Sequence, residues 1–364
     1  MDFALSQDQR LLQASLAGAL DRVCPLERVR AFADSDEPVA DDVWRVLTEM
    51  GAPGILIPEQ QGGLGLTLLD AALAAEILGA HVAPTPFLGS AVLAPVALLG
   101  AGSPAQQSAW LPKLAAGEAL ASVAIAEVIS GARDGAGVTA RDGKLNGQAL
   151  FVVDGARAEI VIIADTVGGL HLVASDAPGV EWSDLTSIDR TRRLRELRLR
   201  DTPAEPLSSG DAAATLVRMR DAGWVMLAAD MLGASQLMLE RAVTYAGERR
   251  QFGRLIGSFQ AVKHLCAEMA AELEPCRALV WYAAYAWDAV PAEASLTAAH
   301  AKAHLAEVSR FVARTATEVH GGIGMTDLLG LHYWFKRVGV DRQLLGGPER
   351  VRHLAAAMQG LAAA

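Results

Sequence analysis

Three cysteines in 364 residues (Cys24, Cys266 and Cys276) are too few and too scattered for a disulfide framework or a CxxC-type zinc site. Basic residues are also scarce. Thirty-two Lys and Arg stand against 42 Asp and Glu, and the formal charge of −10 leaves no electrostatic footprint for nucleic acid. The most apolar stretch, 88–100, is too short and too broken by proline to span a bilayer. The opening MDFALSQDQR has two acids and no basic region before an apolar run, so it does not read as a secretory signal. A GxSxG elbow, a P-loop and a strand-borne GxGxxG are all missing. These absences predict a cytoplasmic protein with neither a nucleic-acid nor a membrane partner. What the chain does have is apolar residues, 52% against 20% charged, enough for a continuous core and against disorder.

The apolar spacing divides the chain into three parts, read as 1–118, 119–208 and 209–364. In the first part Leu11, Leu12, Leu16 and Leu20 recur at helical steps, and Asp41 reads as the cap of a helix that stops at Gly51. The second part carries short runs rich in Val and Ile, among them SVAIAEV, KLNGQALFVV, EIVIIAD and LHLVAS. Turn residues separate these runs, and Asp142-Gly143 reads as a hairpin turn. No crossover helices lie between them, so the sheet is expected to be mainly antiparallel. The third part returns to long helical segments, roughly 213–249, 259–288, 291–320 and 348–359, with Pro291 suited to a first turn and Gly321-Gly322 to a stop. The fold class is α+β and mainly α: a helical domain, an antiparallel β domain and a four-helix bundle.

Several residue patterns bear on chemistry. His300 and His304 are four apart on a predicted helix, but no HExxH glutamate or third ligand accompanies them, so a plain helix face is expected. The six arginines between 190 and 200 partly alternate, as on a strand with one wet face. The stretch from Tyr245 to Gly253, continuing to His264, places Arg249 just before a glycine-marked helix corner. A guanidinium there offers a donor fork to a phosphate or pyrophosphate, and an ordinary helix hairpin with a surface arginine fits the same residues equally well. In Glu318-Val319-His320-Gly321-Gly322-Ile323-Gly324, three glycines in four positions allow close backbone approach to an anion or a cofactor edge, where a simple helix stop needs one.

Together these stretches resemble the acyl-CoA dehydrogenase family over essentially the whole chain. Pro58-Glu59 to Gly65 is similar to its PExxGGxG loop, ERRQFGRLIGSFQAVKH to its RxQFGxxIxxFQxxxH segment, and EVHGGIGMT to its HGGxGxT segment. The resemblance implies an FAD enzyme that dehydrogenates an acyl-CoA thioester and passes electrons to an electron-transfer flavoprotein, commonly as a tetramer with FAD at subunit interfaces. It implies that Arg249 and Phe252 meet the FAD pyrophosphate and adenine of a neighbouring subunit. It also implies that Gln260 reaches the adenosine part and that Gly321 and Gly322 pack on the cofactor. Glu318 stands where the family has glutamine, and an ionised carboxylate accepts hydrogen bonds without donating them. Ala126-Glu127-Val128 replaces threonine-glutamate-proline, and Phe151-Val152-Val153 replaces tryptophan-isoleucine-threonine. Both hydroxyls near the flavin are thereby lost, while Phe151 keeps an aromatic platform.

The catalytic base departs furthest from the family. Counting nine residues on from Arg337, the family's glutamate position falls on Gly346, and its second known location falls on Gly223. Neither can take a proton, and Glu349 is the nearest carboxylate in sequence. Gly346 leaves a backbone N–H near the thioester oxygen and enlarges the pocket. The first expectation is a base-less subunit of a heterotetramer, in which a related chain supplies the glutamate. Such chains occur in bacterial heteromers that dehydrogenate bulky acyl-CoAs, including steroid side chains. Next come a homotetramer using a non-standard base such as Glu349, and a non-catalytic assembly or binding subunit.

Overall fold

The amino-terminal helices start where the sequence supplies a cap. In the computed structural model, which describes residues 4–133 and 135–362, α1 (Gln7–Val23) begins behind Ser6. The Ser6 Oγ accepts from the Gln9 N–H, and the Gln9 side chain accepts from the Ser6 N–H. Next come α2 (Leu26–Asp34), α3 (Asp41–Glu49), α4 (Leu68–His81), α5 (Ala94–Ala101) and α6 (Pro104–Ala115), with a π-helical stretch Phe87–Leu93 running into α5. Asp41 does not cap α3. Ala40 holds the cap position and Asp41 lies in the first turn, where the helix dipole favours an acid and its carboxylate is left to pair with Arg157. Gly51, at φ +78°, ends the helix as expected.

The middle of the chain forms two four-stranded sheets. Their strands are β1 (Ala121–Ala124), β2 (Gly137–Arg141), β3 (Lys144–Val152), β4 (Ile160–Ala164), β5 (Leu170–Ala174), β6 (Val180–Asp184), β7 (Arg195–Pro203) and β8 (Glu205–Pro206), in the orders β1-β4-β5-β8 and β2-β3-β7-β6. Pairing is antiparallel except between β1 and β4, which run parallel with Ala121 opposite Ile160. Val138, Leu145, Val161, Ile163 and Leu197 fill a small core between the sheets. Asp142 and Gly143 have φ of +52° and +73°, the two left-handed residues that a type I′ hairpin turn requires. SVAIAEV is a strand only in its first half. Ala126–Ser130 winds into a short helix (α7), and Glu127 accepts the Leu150 N–H at 2.5 Å, a tertiary contact that local sequence does not encode. On β7 the pattern holds: Leu197 and Leu199 are buried, Arg198 and Arg200 exposed.

The carboxy-terminal part consists of α8 (Ala212–Glu248), α9 (Gln260–Ala289), α10 (Pro291–His320), α11 (Leu331–Gln343) and α12 (Pro348–Met358), with a two-residue ladder, β9 (Arg250–Gln251) and β10 (Arg254–Leu255), at the corner between α8 and α9. Asp211 caps α8 by accepting the Ala214 N–H at 2.9 Å. The sequence pattern did not mark α11 as a separate helix, because buried Arg337 and Asp341 sit on its inner face where apolar residues are expected. By length and composition α8 could cross a bilayer, but 89% of its most apolar window is packed inside the protein. It crosses α4 at backbone contact. A Cβ on Gly79 would fall 2.1 Å from the Asp230 carbonyl oxygen, and one on Gly233 would fall 1.8 Å from that of Glu76.

Candidate functional site

Two separate places carry the candidate residues. The first is the end of the bundle where α8 and α10 finish. The Tyr245 and His320 rings stack there at 4.7 Å, bringing the QFG corner beside the HGG turn. His320 Nδ1 lies 2.7 Å from the Ala316 carbonyl, and burial lowers its pKa, so the ring is a neutral wedge. The corner from α8 to α9 carries exposed Arg249 and Gln260, and Phe252, which is 92% exposed. Glu318, Gly321 and Gly322 line a groove of about 760 Å³ together with Phe311, Arg314 and Met325. Nothing lies within 4 Å of a Cβ built on Gly321 or Gly322, and Gly321 has φ +64°, which ends α10 and leaves the backbone open. No described carboxylate pairs with Arg249. An unpaired guanidinium, an exposed aromatic face and bare backbone suit a nucleotide pyrophosphate better than they suit water.

The second place is a cleft of about 850 Å³ between the β sheets and the loop joining α11 to α12. It holds Phe151, Glu127, Gly346 and Glu349, so the structure separates Phe151 from the other cofactor candidates. Its aromatic platform is covered: the Arg133 guanidinium lies 5.2 Å from the Phe151 ring centroid. Arg350 donates from Nε to the Ile129 carbonyl at 3.0 Å, tying α12 to the end of α7. Burial raises the pKa of Glu127, with the Leu150 N–H as a partial counterweight. Neither arginine was singled out from sequence. Arg350 follows Glu349, the residue scrutinised as a base, and Arg133 carries no local signal.

The two glycines that the family resemblance points to for the base meet at one spot. Leu345 has φ +58° and Gly346 φ +111°, and Trp224 Nε1 donates to the Leu345 carbonyl at 2.7 Å, pinning the loop to α8. The Leu345 side chain lies over Gly223, where an added Cβ would fall 2.5 Å from Leu345 Cδ1. Gly346 has room, its nearest neighbour being Val351 Cγ2 at 3.5 Å, but its backbone angle is one that side-chain-bearing residues rarely adopt. Glu349 is exposed and 3.1 Å from Arg342. Its own backbone N–H at the start of α12, and then Arg342, hold its carboxyl below the usual range, the wrong direction for a proton acceptor. His300 and His304 are exposed on α10, and among the described residues no cluster of three or more His, Cys, Asp or Glu side chains could hold a metal.

Behind the cleft lies a buried ionic joint. Arg192 reaches Asp230 at 2.9 Å and Asp341 at 2.8 Å, while Arg337 reaches Asp189 at 2.8 Å and Asp230 at 3.2 Å. Lys302 donates to the backbone carbonyls of Asp341 and Arg342, holding the end of α11. Arg192 thus turns inward, unlike the wet-face arginines of β7.

A helical–β–helical scaffold with a nucleotide-suited bundle end and a separate cleft is the class that this geometry defines. Sequence models described as the acyl-CoA dehydrogenase N-terminal and C-terminal domains match residues 6–118 and 218–360. The chain belongs to the acyl-CoA dehydrogenase family. It is 32% identical to acyl-CoA dehydrogenase IpdE2 of Mycolicibacterium smegmatis, over 97% of this chain and 99% of that protein. Among solved structures it is similar to the ChsE4-ChsE5 complex from Mycobacterium tuberculosis, with a TM-score of 0.90, 27% identity and full coverage of both chains. A variant of the steroid ACAD Tcur3481-Tcur3483 is 28% identical with a TM-score of 0.88, covering 97% of this chain and 98% of that one.

Proposed function

We propose that this chain is the base-less subunit of a heteromeric, FAD-dependent acyl-CoA dehydrogenase, and that a related chain supplies the catalytic glutamate. One observation carries the reading. Both family positions for the base are glycines, one beneath Leu345 and the other at a φ that opposes a side chain. The similarity to the ChsE4-ChsE5 complex and to a steroid ACAD supports a heteromer acting on a bulky acyl-CoA, steroid-derived ones included.

FAD, when bound, supplies two-electron oxidation of the thioester's Cα–Cβ bond, with an electron-transfer flavoprotein as the acceptor. The bundle end fits the nucleotide half of that cofactor. Arg249 neutralises the pyrophosphate, Phe252 covers the adenine face, Gln260 hydrogen-bonds the adenosine part, and Gly321 and Gly322 let the backbone approach. Glu318 serves only as an acceptor there, for example of an amino or hydroxyl donor. The ring half does not fit this chain's own cleft: Arg133 covers Phe151, and Ala126 and Val153 carry no hydroxyl. The flavin ring and the proton abstraction therefore belong to the partner's cleft. The homotetramer alternative depends on Glu349, whose exposure and lowered pKa oppose it.

Co-expression with a glutamate-bearing relative tests this. The expected product is a complex carrying flavin and dehydrogenase activity. Arg249→Ala should lower its flavin content severalfold, and removing the partner's glutamate should abolish turnover while flavin stays bound. A flavin-loaded homotetramer of this chain that turns over alone would overturn it.

A further inference from the structure

Once the reacting ring is assigned to the partner, this chain's own cleft of about 850 Å³ is left without an assigned occupant. Its volume lies within the range of small-molecule sites. The walls are mostly apolar, with Leu150, Phe151, Leu185, Val340, Leu344 and Leu345 contributing. The mouth is cationic. Arg350 lies against the 131–133 segment, its Nη1 3.3 Å from a Cβ built on Gly131, and Arg133 extends from the same segment over Phe151. No described carboxylate pairs with either guanidinium, whose only described partners are the Ile129 carbonyl and the Phe151 ring.

The acids of the cleft offset this charge only in part. Glu349 is paired with Arg342, and Glu127 is engaged by the Leu150 N–H. At Gly346, where the family glutamate would present a negative charge to the cavity, there is none. An apolar chamber closed by two guanidinium forks matches a molecule with an apolar body and one terminal carboxylate, because each fork can take a carboxylate in two parallel hydrogen bonds.

We propose that the cleft binds an apolar monocarboxylate, its carboxylate held between Arg133 and Arg350 and its body on the Phe151–Leu344 floor. Such a ligand would brace α7 against the start of α12, on the segment next to the Gly346 loop. The inference rests on the reading that flavin chemistry belongs to the partner's cleft.

Isothermal titration of the full chain, or of its complex with the partner, tests the site with dodecanoate, dodecanol and FAD as probes. Dodecanoate should saturate at one site per copy of this chain. The double variant Arg133→Ala/Arg350→Ala should weaken it tenfold or more, while dodecanol binding should change less than twofold. Val340→Trp, which fills the floor, should weaken both alcohol and acid. Absence of saturable dodecanoate binding, indifference to the double variant, or displacement of dodecanoate by FAD at one equivalent would each overturn the proposal. Both arginines lie at the surface, away from Arg249 and the HGG turn. Flavin content and activity of the complex should therefore survive the double variant, so a failure here is distinguishable from a failure of the subunit assignment.

Discussion

At the scale of single residues, the proposed subunit role turns on Gly346. The family's base could be rebuilt there by side-chain volume alone, since a Cβ meets nothing closer than 3.5 Å. The backbone forbids an easy restoration. At φ +111° a glutamate carries strain of about 1–3 kcal/mol, and the Trp224–Leu345 hydrogen bond holds the loop in that shape. Gly346→Glu is therefore expected to lower stability by about that amount in urea unfolding, and to confer no dehydrogenation on the isolated chain. A variant as stable as the parent that turns over an acyl-CoA would show that the loop relaxes freely. Counting along the family resemblance points to Gly346 and Gly223 for the base. That Leu345 closes over Gly223 needed coordinates, because residues 223 and 345 meet only through tertiary packing.

At the scale of elements, two of the three glycines of α8 have opposite meanings. Gly233 faces α4 at a distance where a methyl group would overlap the Glu76 carbonyl, whereas Gly247, near the exposed end, meets nothing within 4 Å. Gly233→Ala is expected to destabilise by roughly 3 kcal/mol or more, as overpacking at a backbone contact does. Gly247→Ala should instead stabilise by up to about 1 kcal/mol through helix propensity. Thermal or urea unfolding of the two variants checks the sign of each. Equal effects would mean that α4 and α8 are not in close contact. Several punctuation points were legible in sequence because caps, stops and turns are local: Pro291 lies in the first turn of α10, Gly321 ends it, and Asp142-Gly143 turns its hairpin. α7 and α11 were not, because half-buried Glu127 and buried Arg337 and Asp341 are held by partners distant in sequence.

At the scale of the whole molecule, the ionic joint ties the three parts together. Asp154 belongs to it: its carboxylate accepts the Gly89 N–H at 2.6 Å, and burial pushes its pKa up to about 6, with Gly89 and then Arg192 and Arg337 opposing. The raised folded pKa fixes the sign. The contribution of Asp154 to stability is present below about pH 4, where it is protonated in both states, and is lost as pH rises through about 6. Asp154→Asn keeps an acceptor for Gly89 and removes the ionisation. It is expected to flatten the stability profile between pH 4 and 6, and to leave stability at pH 7 equal or higher. Urea unfolding across that range checks it, with the other charged members of the joint left unchanged. An unaltered slope would show that Asp154 is not the group responsible.

Composition, helical and alternating periodicity, and three separated glycine-containing motifs were enough to define a helical–β–helical chain of this family. They act through local rules: a cap reads its next turn, a hairpin turn needs two left-handed residues, and glycine has no side chain to ionise. Tertiary structure alone decided the rest. It set Phe151 apart from the bundle-end residues, laid Arg133 over it, brought Arg350 to the same mouth and turned Arg192 inward to Asp230 and Asp341. Charge pairing and cavity shape depend on which distant segments meet, and that is settled by packing the whole core rather than by any stretch of sequence within it.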